Sequence, residues 1–229
     1  MSDDHSKEIP AILIAGGPPK GSEGRGNLMK QAFTGLHKPL VASIGTANGD
    51  SVPFFLMMKT MMVAAGAGEI IRVKLAKTKS NVDEAKRILE RADVVFFSGG
   101  EPKDGMHWLQ HHNLVEYLQD MYKGGKRYVG VSAGAIMLGS EWIKREVKGD
   151  DNSYVLFDCL NIVPYFFDTH GEDEDWEDLR VGLRLMGDGA QAIGLPSNNA
   201  ISGNSKGQLV NLQGEYIVFE NRDGNINPV

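Results

Sequence analysis

Arg127-Tyr128-Val129-Gly130-Val131-Ser132-Ala133-Gly134 (127–134) reads as a buried strand that stops at a turn flanked by glycines. The next residues, Ala135-Ile136-Met137-Leu138, continue what can begin as a helix at Ala133. A strand passing directly into a helix is half of a β–α–β unit, and such units build parallel sheets.

The same grammar extends outward on both sides. AILIAGG (11–17), LVASIGTAN (40–48), EIIRVKL (69–75) and VVFFSGG (94–100) are apolar, mostly β-branched or aromatic runs ending in turn residues. Between them lie segments with helical character. SVPFFLMMKTMMVAAGAG (51–68) is the first, and SNVDEAKRILERAD (80–93) the second, with a Ser or Asn cap and apolar Val82, Ala85, Ile88 and Leu89. GMHWLQHHNLVEYLQDMYKGG (105–125) is predicted as one helix ending at Gly-Gly. The alternation predicts an α/β fold with a mostly parallel sheet covered on both faces. Function in such sheets gathers at the carboxyl ends of the strands. After residue 200, AISG, GQLVNLQG and EYIVFENRDG suggest short antiparallel strands.

Composition narrows the class. The 229 residues suit one domain over 1–229, and no linker or repeat divides them. A net charge of −6 offers no basic footprint for nucleic acid. The single Cys159 excludes an internal disulfide and fits a reducing compartment. MSDDHSKEIP (1–10) is polar, and no apolar run is long enough to span a bilayer. These features lead us to expect a cytoplasmic protein with no membrane partner; a homodimer is one assembly open to it.

Gly130-Val131-Ser132-Ala133-Gly134 has the form of a nucleophile elbow. A sharp strand-to-helix turn strains the serine backbone, and bulky flanking side chains would clash. The hydroxyl then stands clear of the sheet beside unpaired N–H groups at the helix start. The alternative is a tight packing turn with no chemistry. A serine nucleophile needs a base. Of the six histidines, His5 lies in a polar terminus, His37 in a short loop, and His107, His111 and His112 on the predicted helix. His170 instead follows Val163–Thr169, an apolar run ending in polar residues, and precedes Gly171, a strand end leading into a loop where catalytic bases often sit.

With Ser132 and His170 in place, the sequence resembles the aspartyl dipeptidase (peptidase E) and cyanophycinase family of serine peptidases. The resemblance rests on VVFFSGG (94–100), YVGVSAGAIML (128–138), FDCLNIVPYFFDTH (157–170) and AIGLPSNNAI (192–201), in that order. It implies a flavodoxin-like, three-layer fold related to class I glutamine amidotransferases. It also implies Ser132 as nucleophile, His170 as general base, and an oxyanion hole from the N–H groups of Gly100 and Ala133. The substrate would be a short peptide or isopeptide, cleaved through an acyl-enzyme, with no cofactor and no metal.

The chain departs from the family's pattern at two places. The acid that orients the histidine falls near Val147 in one branch, where Glu146, Asp150 and Asp151 stand close; Asp150 is the first choice. In the other branch it falls in the loop matched by Pro196-Ser197-Asn198-Asn199, which has no carboxylate. Asp168 is two residues from His170, on one face if both are on a strand. Next, six of the seven residues from Glu172 to Asp178 are acidic, where the family has arginines suited to an acidic substrate. Only Arg180 and Arg184 follow, and these are the expected substrate contacts. If the acids face the site, an aspartyl substrate is repelled; if not, they decorate a solvated helix start. An idle binding protein and an esterase or amidase on the same dyad are the competing functions.

Three further patterns have plainer readings. Met57, Met58, Met61 and Met62 at helical spacing suggest core packing or an interface. The glycine-rich loop from Gly16 to Gly26 lacks a phosphate-binding spacing and reads as a rim loop. His107 and His111 have metal-ligand spacing without the zincin glutamate, and Cys159 reads as buried.

Overall fold

The computed structural model describes residues 9–16, 24–148 and 150–229. His5 and most of the glycine-rich loop lie outside the described residues, as do the side chains of residues 24–27 and 151. The first half runs β1 (Ala11–Ile14), α1 (Gly24–Ala32), β2 (Leu40–Ile44), α2 (Val52–Ala64), β3 (Glu69–Val73), α3 (Val82–Arg91), β4 (Val94–Phe97), α4 (Pro102–His111) and α5 (Val115–Lys123). Next come β5 (Arg127–Val131), α6 (Ala133–Met137), β6 (Glu141–Arg145), β7 (Tyr154–Asp158), β8 (Phe166–Thr169) and α7 (Glu177–Met186). The chain closes with β9 (Gln191–Leu195), β10 (Ala200–Gly203), β11 (Leu209–Gln213), β12 (Ile217–Arg222) and β13 (Asn225–Pro228).

The central sheet has the order β11-β10-β1-β5-β4-β2-β3. The five strands β1, β5, β4, β2 and β3 are parallel, with β3 at one edge, and β10 and β11 extend the sheet antiparallel beside β1. Counted from β2, the parallel strands follow the flavodoxin-like order 2-1-3-4, and the chain's own first strand fills the fifth place. The fold is therefore α/β with a mostly parallel sheet and short antiparallel strands after residue 200. A second sheet, β13-β12-β9-β8, and the β6–β7 hairpin complete it.

Strand side chains alternate, and that alternation creates two cores. Leu13, Val95 and Phe97 point to one face, where they pack with Leu89, Leu109, Leu118 and Met137 from α3 to α6. Ile12, Ile14, Val94 and Phe96 point to the other, against Leu28, Met29, Met58 and Met62 of α1 and α2. Met58 and Met62 thus belong to the core, while Met57 is half exposed.

Two predicted elements differ. The helix expected over 105–125 is two helices, because Asn113 adopts a left-handed conformation (φ 53°) that asparagine tolerates and a helix does not. The N–H of Leu114 then donates to Leu109 O at 2.9 Å, and fully buried Leu114 starts the next helix. The run predicted as a strand over 40–48 leaves the sheet at Ile44, and Thr46–Asn48 form a 3₁₀ turn. That turn carries a polar side chain into the site, as described next.

Candidate active site

The carboxyl ends of β1, β4 and β5 meet at one edge of the sheet. Ser132 follows β5 with φ 54° and ψ −122°, a conformation that costs a non-glycine residue about 1–3 kcal/mol. The turn can close only between glycines. A Cβ on Gly130 would lie 2.4 Å from Gly134 O, and one on Gly134 would lie 2.1 Å from Phe97 O. The strained backbone is held by the N–H of Ser132, which donates to Ile14 O at 2.8 Å. Because α6 is only five residues long, its macrodipole is small. What remains at Ser132 is the adjacent Ala133 N–H itself.

His170 follows β8 and also takes a left-handed conformation (φ 49°), with its N–H on Leu195 O at 2.9 Å. Its Nε2 lies 2.9 Å from Ser132 Oγ. Three more hydrogen bonds tie this segment, through the 196–199 loop, to the end of β1 beside the serine. Glu172 accepts from the Ser197 N–H at 2.9 Å. The 196–199 loop in turn bonds β1, through Asn198 N–H to Gly16 O and Ala15 N–H to Asn199 O, both at 3.0 Å.

The Gly99-Gly100 corner faces the serine from β4. Gly100 has φ 145°, and a Cβ there would collide with Ala47 O at 2.1 Å. Asn48 donates through Nδ2 to both Gly99 O (2.8 Å) and Ser98 Oγ (2.9 Å). Sequence patterns gave no signal for Asn48, because its role depends on a tertiary contact across two strand ends.

The other expected residues are distributed differently. Asp150 is not brought to His170. It sits exposed after the β6 strand, where its carboxylate accepts from the Asn152 N–H at 2.9 Å and caps a 3₁₀ turn. Glu146 lies near Lys144 at 3.5 Å. Asp168 does line the same cavity as Ser132 and His170, but its Oδ1 accepts from the Thr169 N–H at 2.7 Å. Among the described residues no carboxylate is hydrogen-bonded to His170. Arg180 is turned away: Nε donates to Asp175 O, a terminal nitrogen to Ile226 O, and the guanidinium lies over Phe219. Arg184, on the last turn of α7, lines neither cavity at the serine.

The acidic run splits. Buried Trp176 packs against Gly171, Gly194 and Phe219 and anchors the start of α7. Around that anchor Glu174, Glu177 and Asp178 line a cavity of about 170 Å³ with Glu101, Asp168, Ser132 and His170. Burial pushes the Asp168 carboxyl up to about 7, the Thr169 N–H opposing and Asp178 and Glu174 adding to it. Asp178 is raised by burial and then by Glu177 and Glu174, with Arg145 opposing. Glu101 is raised by burial, against Lys103 and with Asp104 and Asp178. Among the described residues no group of three or more His, Cys, Asp or Glu side chains is disposed to hold a metal ion. Nor is any helix there long and apolar enough to cross a membrane.

A second cavity, about 280 Å³, opens on the opposite side of Ser132. It is lined by Phe54, Met57, Met58 and Met61 of α2, with Leu28, Met29, Gly99 and Gly100.

Comparisons with known proteins bear on the fold and the family. The chain is 24% identical over 92 residues to Peptidase E of Shewanella denitrificans, a stretch covering 38% of this chain and 37% of that protein. The chain thus matches little more than a third of that relative's length. Its fold is similar to a solved peptidase from an acI-B1 Actinobacterium, with a TM-score of 0.65 and 18% identity over 98% of this chain and 96% of the other. The profile of peptidase family S51 matches residues 12–207, and the chain belongs to that family of serine peptidases.

Proposed function

We propose that the protein hydrolyses short peptides or isopeptides with Ser132 as nucleophile and His170 as general base. The observation that carries this reading is the 2.9 Å contact between Ser132 Oγ and His170 Nε2 at a strained, glycine-flanked elbow. His170 takes the Oγ proton as the Oγ–C bond forms, and the carbonyl becomes an oxyanion. The N–H groups of Gly100 and Ala133 are the donors assigned to it in this reading. His170 then delivers the proton to the leaving nitrogen, the C–N bond breaks, and an acyl-enzyme remains. Water, deprotonated by His170, attacks the ester, and the proton returns to Oγ as the acid leaves. With no carboxylate on His170 among the described residues, the imidazole is oriented by its backbone anchor on Leu195 O and by Ser132 itself.

A fluorophosphonate reagent tests this reading. Rapid labelling of the wild-type chain, abolished by Ser132→Ala and strongly slowed by His170→Ala, is the expected result. Undiminished labelling of Ser132→Ala would remove Ser132 from the mechanism.

A further inference from the structure

The two cavities that share Ser132 differ in kind. The acid-lined one has His170 on its wall; the larger one does not. A general acid must lie within hydrogen-bond reach of the atom it protonates. The leaving group therefore occupies the side of His170, and the acyl portion extends the other way, past Gly99 and Gly100. There it meets thioethers and a phenyl ring. Among the described residues lining that space, Asn198 and Ser132 are the polar side chains and none is charged. At about 280 Å³ the space holds one amino-acid side chain and falls short of the roughly 300–1,000 Å³ of sites for larger ligands. Methionines are flexible and polarizable, so such a wall adapts to several apolar shapes.

Building on the assignment of Ser132 and His170 above, we propose that the methionine-lined cavity receives the side chain on the acyl side of the scissile bond. The preferred substrate then carries a large apolar residue such as Met, Leu or Phe at that position. An aspartyl residue is disfavoured in either cavity. In the methionine-lined one its charge loses water and meets no charged side chain among the described lining residues. In the other it meets Glu101, Asp168, Glu174, Glu177 and Asp178, against Lys103 and Arg145 among the described residues.

A series of aminoacyl coumarylamides with one leaving group and Met, Leu, Phe or Asp as the acyl residue tests the proposal by kcat/KM. The apolar substrates are expected to exceed the aspartyl one by about 100-fold or more, the scale set by one well-matched apolar group against a stranded charge. Met57 is 51% exposed at the rim, so Met57→Asp leaves the core intact, which thermal unfolding verifies. It is expected to lower kcat/KM for the apolar substrates by about 10-fold or more. An aspartyl substrate cleaved as well as the apolar ones overturns the proposal, as does a Met57→Asp enzyme with unchanged selectivity. So does an enzyme that is labelled at Ser132 but cleaves none of the series. Loss of fluorophosphonate labelling at Ser132 is a separate failure, that of the nucleophile assignment itself.

Discussion

Asn48 Nδ2 donates to Gly99 O at 2.8 Å, and the peptide unit that carries this carbonyl carries the Gly100 N–H at its other end. Because the unit is planar and trans, fixing the carbonyl aims the N–H in the opposite direction. On the mechanism proposed above, in which the Gly100 N–H is an oxyanion donor, Asn48 is thus a positioning residue for it. Removing such a donor outright costs about 10²–10³ in kcat. Asn48→Ala only loosens it and is expected to lower kcat about tenfold with little change in KM. Steady-state kinetics on one substrate reads this split; a change confined to KM would contradict it.

The elbow glycines make a steric prediction. The missing Cβ of Gly134 would sit 2.1 Å from the backbone oxygen of Phe97, which cannot swing aside as a side chain can. Gly134→Ala must push α6 off β4. It is expected to destabilise the fold by about 1–3 kcal/mol, the range for an overpacked core, and to lower fluorophosphonate labelling in parallel. Chemical denaturation checks the first effect, and an unchanged midpoint would contradict the account.

Glu146 and Asp150 stand near the position where a related branch keeps its acid, yet they bond elsewhere. Asp150→Asn and Glu146→Gln are expected to leave kcat/KM within about twofold, as surface substitutions do. A loss of several hundredfold from either would show that it reaches His170 during turnover.

Asp168 makes the stability of the protein depend on pH. Burial raises its carboxyl from the ordinary 3.8 to about 7, so between these values the folded chain binds a proton that the unfolded chain has lost. Its contribution is therefore best below about pH 4 and is lost as pH rises through 7, by up to about 4 kcal/mol. Asp168→Asn keeps an oxygen to accept from the Thr169 N–H and carries no charge. Relative to wild type it is expected to gain at least about 1 kcal/mol in unfolding free energy between pH 5 and pH 8. Denaturant titrations at the two pH values measure this; an equal difference at both would contradict it.

Periodicity alone located β1 to β5, α2 and α3, because each buries a continuous or amphipathic apolar run. The strained turn at Ser132 was legible from its glycines, and the strand-end position of His170 from the apolar run before it. The β6–β7 hairpin was not, since short half-exposed strands such as Tyr154–Asp158 carry no strong period; the strands of the second sheet were read one by one, but their pairing into a separate sheet depends on tertiary contacts. Asn113 hid a helix break within an amphipathic run. The acid wall was half legible: the charges were plain in the sequence, but which of them face Ser132 is set by Trp176, whose burial fixes the rotation of α7. Asn48, Phe54 and the two cavities depend on contacts between distant segments and left no local mark.

The central claim is that Ser132 carries the acyl group during turnover. Acid-quenched enzyme, trapped with a slowly deacylating ester and digested, is measured by mass spectrometry. The account predicts an adduct of the acyl mass on the peptide containing Ser132, absent from Ser132→Ala. Turnover with no adduct, or an adduct on another residue, would contradict it.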